Sequence, residues 1–220
     1  MTGRRPRKET GEIGSTRISA TAAEIIHTDL PIDKEGLENF FATRFLTDFN
    51  ETHPLGPTIE ITNAKQNTTS NIDFDVSCAI ADFMELAELN PRSEHFGRAA
   101  LRDGKLNVYE YAKWIFNRII RKKSRSYGAR LSGRTILLLY STHWQFFPSE
   151  RVVECLRSHI QIHECDFAAI FLLFTNGDDL RVLSPVHPWE GLKLRKPSDY
   201  SEFTCWNLPP GRSAWNVSLK

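Results

Sequence analysis

The run Thr135-Ile136-Leu137-Leu138-Leu139-Tyr140 decides the fold class. It carries no charge and no alternation of apolar and polar residues. A strand that shows neither face to water reads this way, so the run belongs inside a sheet covered on both sides. A second run of the same character follows, Ala168-Ala169-Ile170-Phe171-Leu172-Leu173-Phe174. Between them, residues 148–160 place Val152, Val153, Leu156 and Ile160 on one helical face. The two apolar runs are expected to be neighbouring central strands, almost fully buried. Asn176-Gly177-Asp178-Asp179 signals a tight turn, after which residues 180–183 return as a short antiparallel strand.

Upstream, residues 108–127 read as the best helix of the chain. Val108, Tyr111, Ala112, Ile115 and Ile119 make an apolar stripe, widened by Phe116 and Ile120. Asn107 is the expected N-cap and Gly128 the expected stop. Lys113, Arg118, Arg121, Lys122, Lys123 and Arg125 occupy the remaining sides. Residues 91–106 read as a polar connection. Residues 72–89 read as another helix, with Val76, Ile80, Phe83, Met84 and Ala87 on one face and Asp73 and Asp75 in its first turn, where the helix dipole favours acids. Residues 63–71 read as a polar loop. Thr58-Ile59-Glu60-Ile61-Thr62 reads as a strand, preceded by a helix at 34–42 and a strand near 44–49 that ends in Asp48-Phe49. Residues 21–28 form a short helix or strand.

The expected fold is α/β, a mixed central β-sheet flanked by helices. Residues 21–184 make one α/β domain. Residues 1–20 read as a disordered basic arm. Residues 185–220 read as a proline-rich wrap anchored by Trp189, Trp206 and Trp215. The chain has 220 residues, 40% hydrophobic and 25% charged, enough to bury a core. A net charge of +1 means that a nucleic-acid partner needs a local basic patch. No apolar run approaches the ~20 residues of a membrane span. The basic N-terminus lacks the apolar stretch of a secretory signal. Cys78, Cys155, Cys165 and Cys205 show no CxxC spacing and read as reduced thiols of a cytoplasmic protein.

Among groups able to carry chemistry, Asp48 and Glu60 lie on either side of the turn-rich residues 50–57, so two expected strands bring an acid pair together. Mg²⁺ or Mn²⁺ needs such oxygen ligands; the ordinary alternative is a turn aspartate and a solvent-facing strand glutamate. Arg118, Arg121, Lys122 and Arg125 form a stripe able to track phosphates, or simply a solvated helix side. His159, His163 and Cys165 have soft-ligand chemistry, but no fourth ligand accompanies them.

With "TDF" at 47–49, "IEITNA" at 59–64, "IIRKKSRSYG" at 119–128, "LLLYSTHW" at 137–144 and "FAAIFLL" at 167–173, the chain resembles the PD-(D/E)xK superfamily, the restriction-endonuclease-like proteins, and in particular uncharacterised bacterial members. Such proteins place an Asp before one strand and an acid within the next, and a helix carrying Lys and Tyr then leads to a buried strand. The resemblance spans roughly residues 37–184. It implies a Mg²⁺-dependent nuclease acting on nucleic-acid phosphodiesters, with Asp48 and Glu60 as metal ligands. The motif lysine is replaced by Thr62, so Lys123 or Lys65 has to supply the ammonium. The alternative is a catalytically inactive module that binds nucleic acid or a protein partner, an immunity or regulatory protein.

Overall fold

The computed structural model describes residues 13–18, 23–28, 30–52, 61–67, 72–90, 96, 105–142, 146–176, 180–188 and 194–206. β1 (Ile13–Ile18) and β2 (Ala23–Thr28) pair as an antiparallel hairpin. Residues 13–18 are therefore a strand, not part of a disordered arm; Ile13, Thr16 and Ile18 supply β-branched residues that suit pairing. Then come α1 (Lys34–Thr52), β3 (Asn63–Gln66), β4 (Phe74–Ser77), β5 (Phe83–Glu88) and β6 (Lys105–Asn107). Helix α2 (Val108–Trp114) runs through a π-helical stretch (Ile115–Ile120) into α3 (Arg121–Ser132). The chain continues with β7 (Thr135–Tyr140), α4 (Glu150–His163), β8 (Ala169–Asn176), β9 (Leu180–His187), a 3₁₀ helix (Pro197–Glu202) and β10 (Thr204–Trp206).

Among the described residues, six strands form one mixed sheet in the order β3-β4-β5-β7-β8-β9. β5, β7 and β8 are parallel neighbours, and the other pairings are antiparallel. The two apolar runs are thus adjacent central strands, as their composition predicts. Ile136, Leu138 and Tyr140 of β7 join Ala169, Phe171 and Leu173 of β8 beneath α1, where Leu37, Phe41, Phe45 and Phe49 close the layer. Leu137, Leu139, Ile170 and Leu172 face the opposite way, onto Tyr111, Ile115, Phe116, Val152 and Leu156 of α2, the π stretch and α4. Helices on both faces are what doubly buried parallel strands require. No helix among the described residues is long and apolar enough to cross a membrane.

Three expectations fail in the first half of the sheet. Residues 44–49 are not a strand but the second half of α1, because Phe41, Phe45 and Phe49 recur every fourth residue and all three are fully buried. Residues 72–89 are not a helix but the antiparallel pair β4 and β5. Residues 61–62 precede β3, which lies where a polar loop is expected; residues 58–60 fall outside the described residues.

The 108–127 helix does form, but it widens at residues 115–120, where the Arg121 N–H reaches back five residues to the Phe116 carbonyl. This changes the angular phase of everything downstream relative to an unbroken α-helix. Asn107 caps it as predicted, its side chain accepting from the Glu110 N–H at 3.2 Å. At Gly128 the backbone leaves helical geometry (φ 72°, ψ 160°), a region essentially reserved for glycine, so the predicted stop is a kink within α3.

The described part of the tail packs on the domain. β10 pairs with β6, Phe203 accepts the Val108 N–H at 3.0 Å, and Ser201 accepts from Asn107 at 2.7 Å. Trp189 and Trp215 lie outside the described residues.

Leu138 sits fully buried in the central strand. Leu138→Ala is expected to cost about 2–5 kcal/mol, seen as a lower urea midpoint with an unchanged slope. A loss below about 1 kcal/mol would show that β7 is not central.

Candidate functional site

Straightening residues 72–89 into two strands moves the acids that matter. Asp73 immediately precedes β4, and Glu85 lies in β5 with Ala87 on the same face. The two are tied reciprocally. The Leu86 N–H donates to Asp73 Oδ2 at 2.8 Å, and the Asp73 N–H donates to Glu85 Oε2 at 3.3 Å. Glu85 is 3% exposed in the middle of the sheet. Such a carboxylate persists only if it is paired. Its other oxygen, Oε1, accepts from the Lys123 ammonium in a close ion pair. The Tyr127 hydroxyl donates to Glu85 as well. Lys123 and Tyr127 stand four residues apart, on one side of α3.

A third acid and a second lysine come from the other layer. Lys34 Nζ lies 2.9 Å from Glu38 Oε1 and 4.0 Å from Asp73 Oδ1. Burial raises the pKa of Glu38 above the ordinary range, opposed by Lys34. Burial likewise raises Glu85, with Lys123 pulling it down and Asp73 pushing it up. Burial, then the charge of Glu85, drives the Tyr127 phenol upward, so it stays a donor at neutral pH.

Of the predicted site residues, Lys123 joins this cluster. Asp48 is buried near the C-terminal end of α1, ten residues from Glu38 and so about 15 Å along the axis. Glu60 lies outside the described residues. The Asn50 side chain does bind both polar groups of the Ile61 backbone, at 3.0 and 3.1 Å, which pins the end of α1 to the chain entering β3. Lys65 is exposed on edge strand β3. Arg118, Arg121, Lys122 and Arg125, with Asn117 and Ser126, line an open depression of about 380 Å³. That stripe lies on the helix carrying Lys123 but is turned away from it: Lys122 is about a quarter-turn from Lys123, and Arg121 and Arg125 are each nearly half a turn away, exposed.

His159 is buried on α4, stacked against Phe116 and close to Tyr109 and His163. Desolvation lowers its pKa to about 4. Its ring lies 18° from parallel to that of His163, in an aromatic stack. Among the described residues no three His, Cys, Asp or Glu side chains form a metal-binding group.

Comparison with known proteins gives no match: no family model matches the sequence, and no curated protein or solved structure matches the chain.

The Glu85–Lys123 pair makes a pH-dependent prediction. An acid whose folded pKa exceeds its unfolded value costs the fold nothing while protonated in both states; the cost appears as pH rises through the folded pKa. Lys123→Met removes the compensating charge, so the loss relative to wild type is expected to be roughly 2–4 kcal/mol at pH 8 and much smaller near pH 4.5. Denaturant titrations at the two pH values measure it; an equal loss at both would mean that Lys123 does not compensate an ionised Glu85.

Proposed function

We propose that the protein is a metal-dependent nuclease whose centre is Asp73, Glu85 and Lys123. The observation that carries this reading is their convergence: an acid before one strand, an acid within the next, and a lysine and tyrosine on the helix leading to a buried strand. That is the pattern the restriction-endonuclease-like resemblance implies, carried by β4 and β5 in place of Asp48 and Glu60. The position two residues after Glu85, where the motif expects lysine, is Ala87, and Lys123 comes to the same carboxylate from α3.

The donor set suits Mg²⁺ or Mn²⁺. Asp73 and Glu85 offer hard oxygen ligands, and Mg²⁺ commonly takes one or two carboxylates and keeps several waters. Bound there, the ion would supply an activated water and offset charge on the phosphate. The chain's own part is positioning. The Leu86 N–H and Asp73 N–H fix the two carboxylates, Tyr127 holds Glu85 in orientation, and the Lys123 ammonium, held on Glu85, would offer positive charge to a phosphate bound at the ion. The Arg118, Arg121, Lys122 and Arg125 stripe, on the exposed side of the helix that carries Lys123, supports a nucleic-acid substrate held by its backbone.

The test uses labelled single- and double-stranded DNA and RNA with Mn²⁺. Wild type is expected to cleave at least one of them. Asp73→Asn and Glu85→Gln should each abolish cleavage while retaining binding measured by anisotropy. Replacing Arg118, Arg121 and Arg125 together by Ala should weaken binding and flatten its salt slope by up to about three. Binding without turnover in wild type would favour the non-catalytic module, for which Ala87 in the lysine position is the mark. Turnover that survives both acid substitutions would remove this centre.

A further inference from the structure

The cluster holds three carboxylates, Glu38, Asp73 and Glu85, and two ammonium groups, Lys34 and Lys123. The two lysines are not equivalent. The Lys123 side chain is 28% exposed, and it pairs with a carboxylate whose side chain is only 4% exposed and fixed in the central sheet. Lys34 is 70% exposed, at the first residue of α1, while its partners Glu38 and Asp73 are 8% and 12% exposed. The acids therefore cannot leave, whereas the Lys34 ammonium swings into solvent on a flexible stem at little cost. It also stands against the open side of the pair. Asp73 Oδ2 is taken by the Leu86 N–H, and the oxygen nearest Lys34 is Oδ1.

Accepting the metal site proposed above, on which this step rests, we infer that Lys34 is an exchangeable counter-ion. In the metal-free protein its ammonium holds Glu38 and Asp73 together. A divalent ion entering at Asp73 displaces it, and the freed ammonium becomes available to a substrate phosphate at the rim. Lys34 is thus a positioning residue whose departure accompanies metal entry.

Calorimetric Mn²⁺ titration of wild type, Lys34→Ala, Lys34→Gln and Lys34→Arg tests this without relying on turnover. Removing the competing charge is expected to tighten Mn²⁺ binding roughly three- to fivefold in the Ala and Gln variants, the range that an exposed ion pair supports. Lys34→Arg should stay near wild type. The ratio should shrink in about 1 M salt, where the Debye length of ~3 Å is shorter than the 4.0 Å between the exposed Lys34 ammonium and Asp73 Oδ1. Two neutral variants at an exposed position guard against a folding defect in one of them. If wild type binds Mn²⁺ and both neutral variants bind it equally or more weakly, Lys34 is not the counter-ion and the metal site stands. If wild type shows no saturable Mn²⁺ binding, the metal site and this inference fall together.

Discussion

A carboxylate in the middle of a doubly covered sheet is the constraint on which the rest of this structure turns. Leaving Glu85 ionised and alone at that depth would cost several kcal/mol, a large share of a domain's stability. It is kept by three donors from two parts of the chain: the Lys123 ammonium and Tyr127 hydroxyl of α3, and the Asp73 N–H before β4. Satisfying them together fixes α3 over β5 and the start of β4 beside it. A hydrophobic residue at position 85 would hold the sheet more simply. That the chain carries an acid there, in a network with four other charged groups, is what makes this region a candidate for chemistry.

The layers serve that arrangement. Parallel β5, β7 and β8 give a rigid floor, closed below by the phenylalanines of α1 and above by the stripe of α2, the π stretch and α4. Lys34 and Glu38 enter from the lower layer and Lys123 and Tyr127 from the upper one, so the charged cluster joins elements that otherwise meet only through the sheet. The wider π turn sets the angle at which Lys123 and Tyr127 leave the helix, and Gly128 ends that geometry one residue after the tyrosine.

The helix at 150–163 and the apolar stripe of 108–120 were legible because their patterns admit one period only, and the central strands because their unbroken apolar runs are too short for a buried helix. The first half of the sheet was not. Ile72, Phe74 and Val76 alternate as a strand should, yet Val76, Ile80, Phe83, Met84 and Ala87 also fit a helical face, and Met, Glu, Leu and Ala in β5 are helix formers. Pairing with β4 and β7 on either side overrides that propensity. In α1, Phe45, Thr47 and Phe49 imitate alternation inside a four-residue repeat. Reading those two segments in the wrong period sent the acid pair to Asp48 and Glu60. Lys123 was found because it lies on the legible helix. Glu85, 38 residues away from it in sequence, was hidden because only the sheet brings them together.

The most direct measurement is a Mn²⁺ soak of crystals of the protein, with anomalous diffraction locating the ion. The account predicts a peak within coordination distance of Asp73 and Glu85, with the Lys34 ammonium moved away from Asp73 Oδ1. A fully occupied peak elsewhere, such as beside Asp48, or no peak at millimolar Mn²⁺ with the Glu85–Lys123 pair intact, would contradict it.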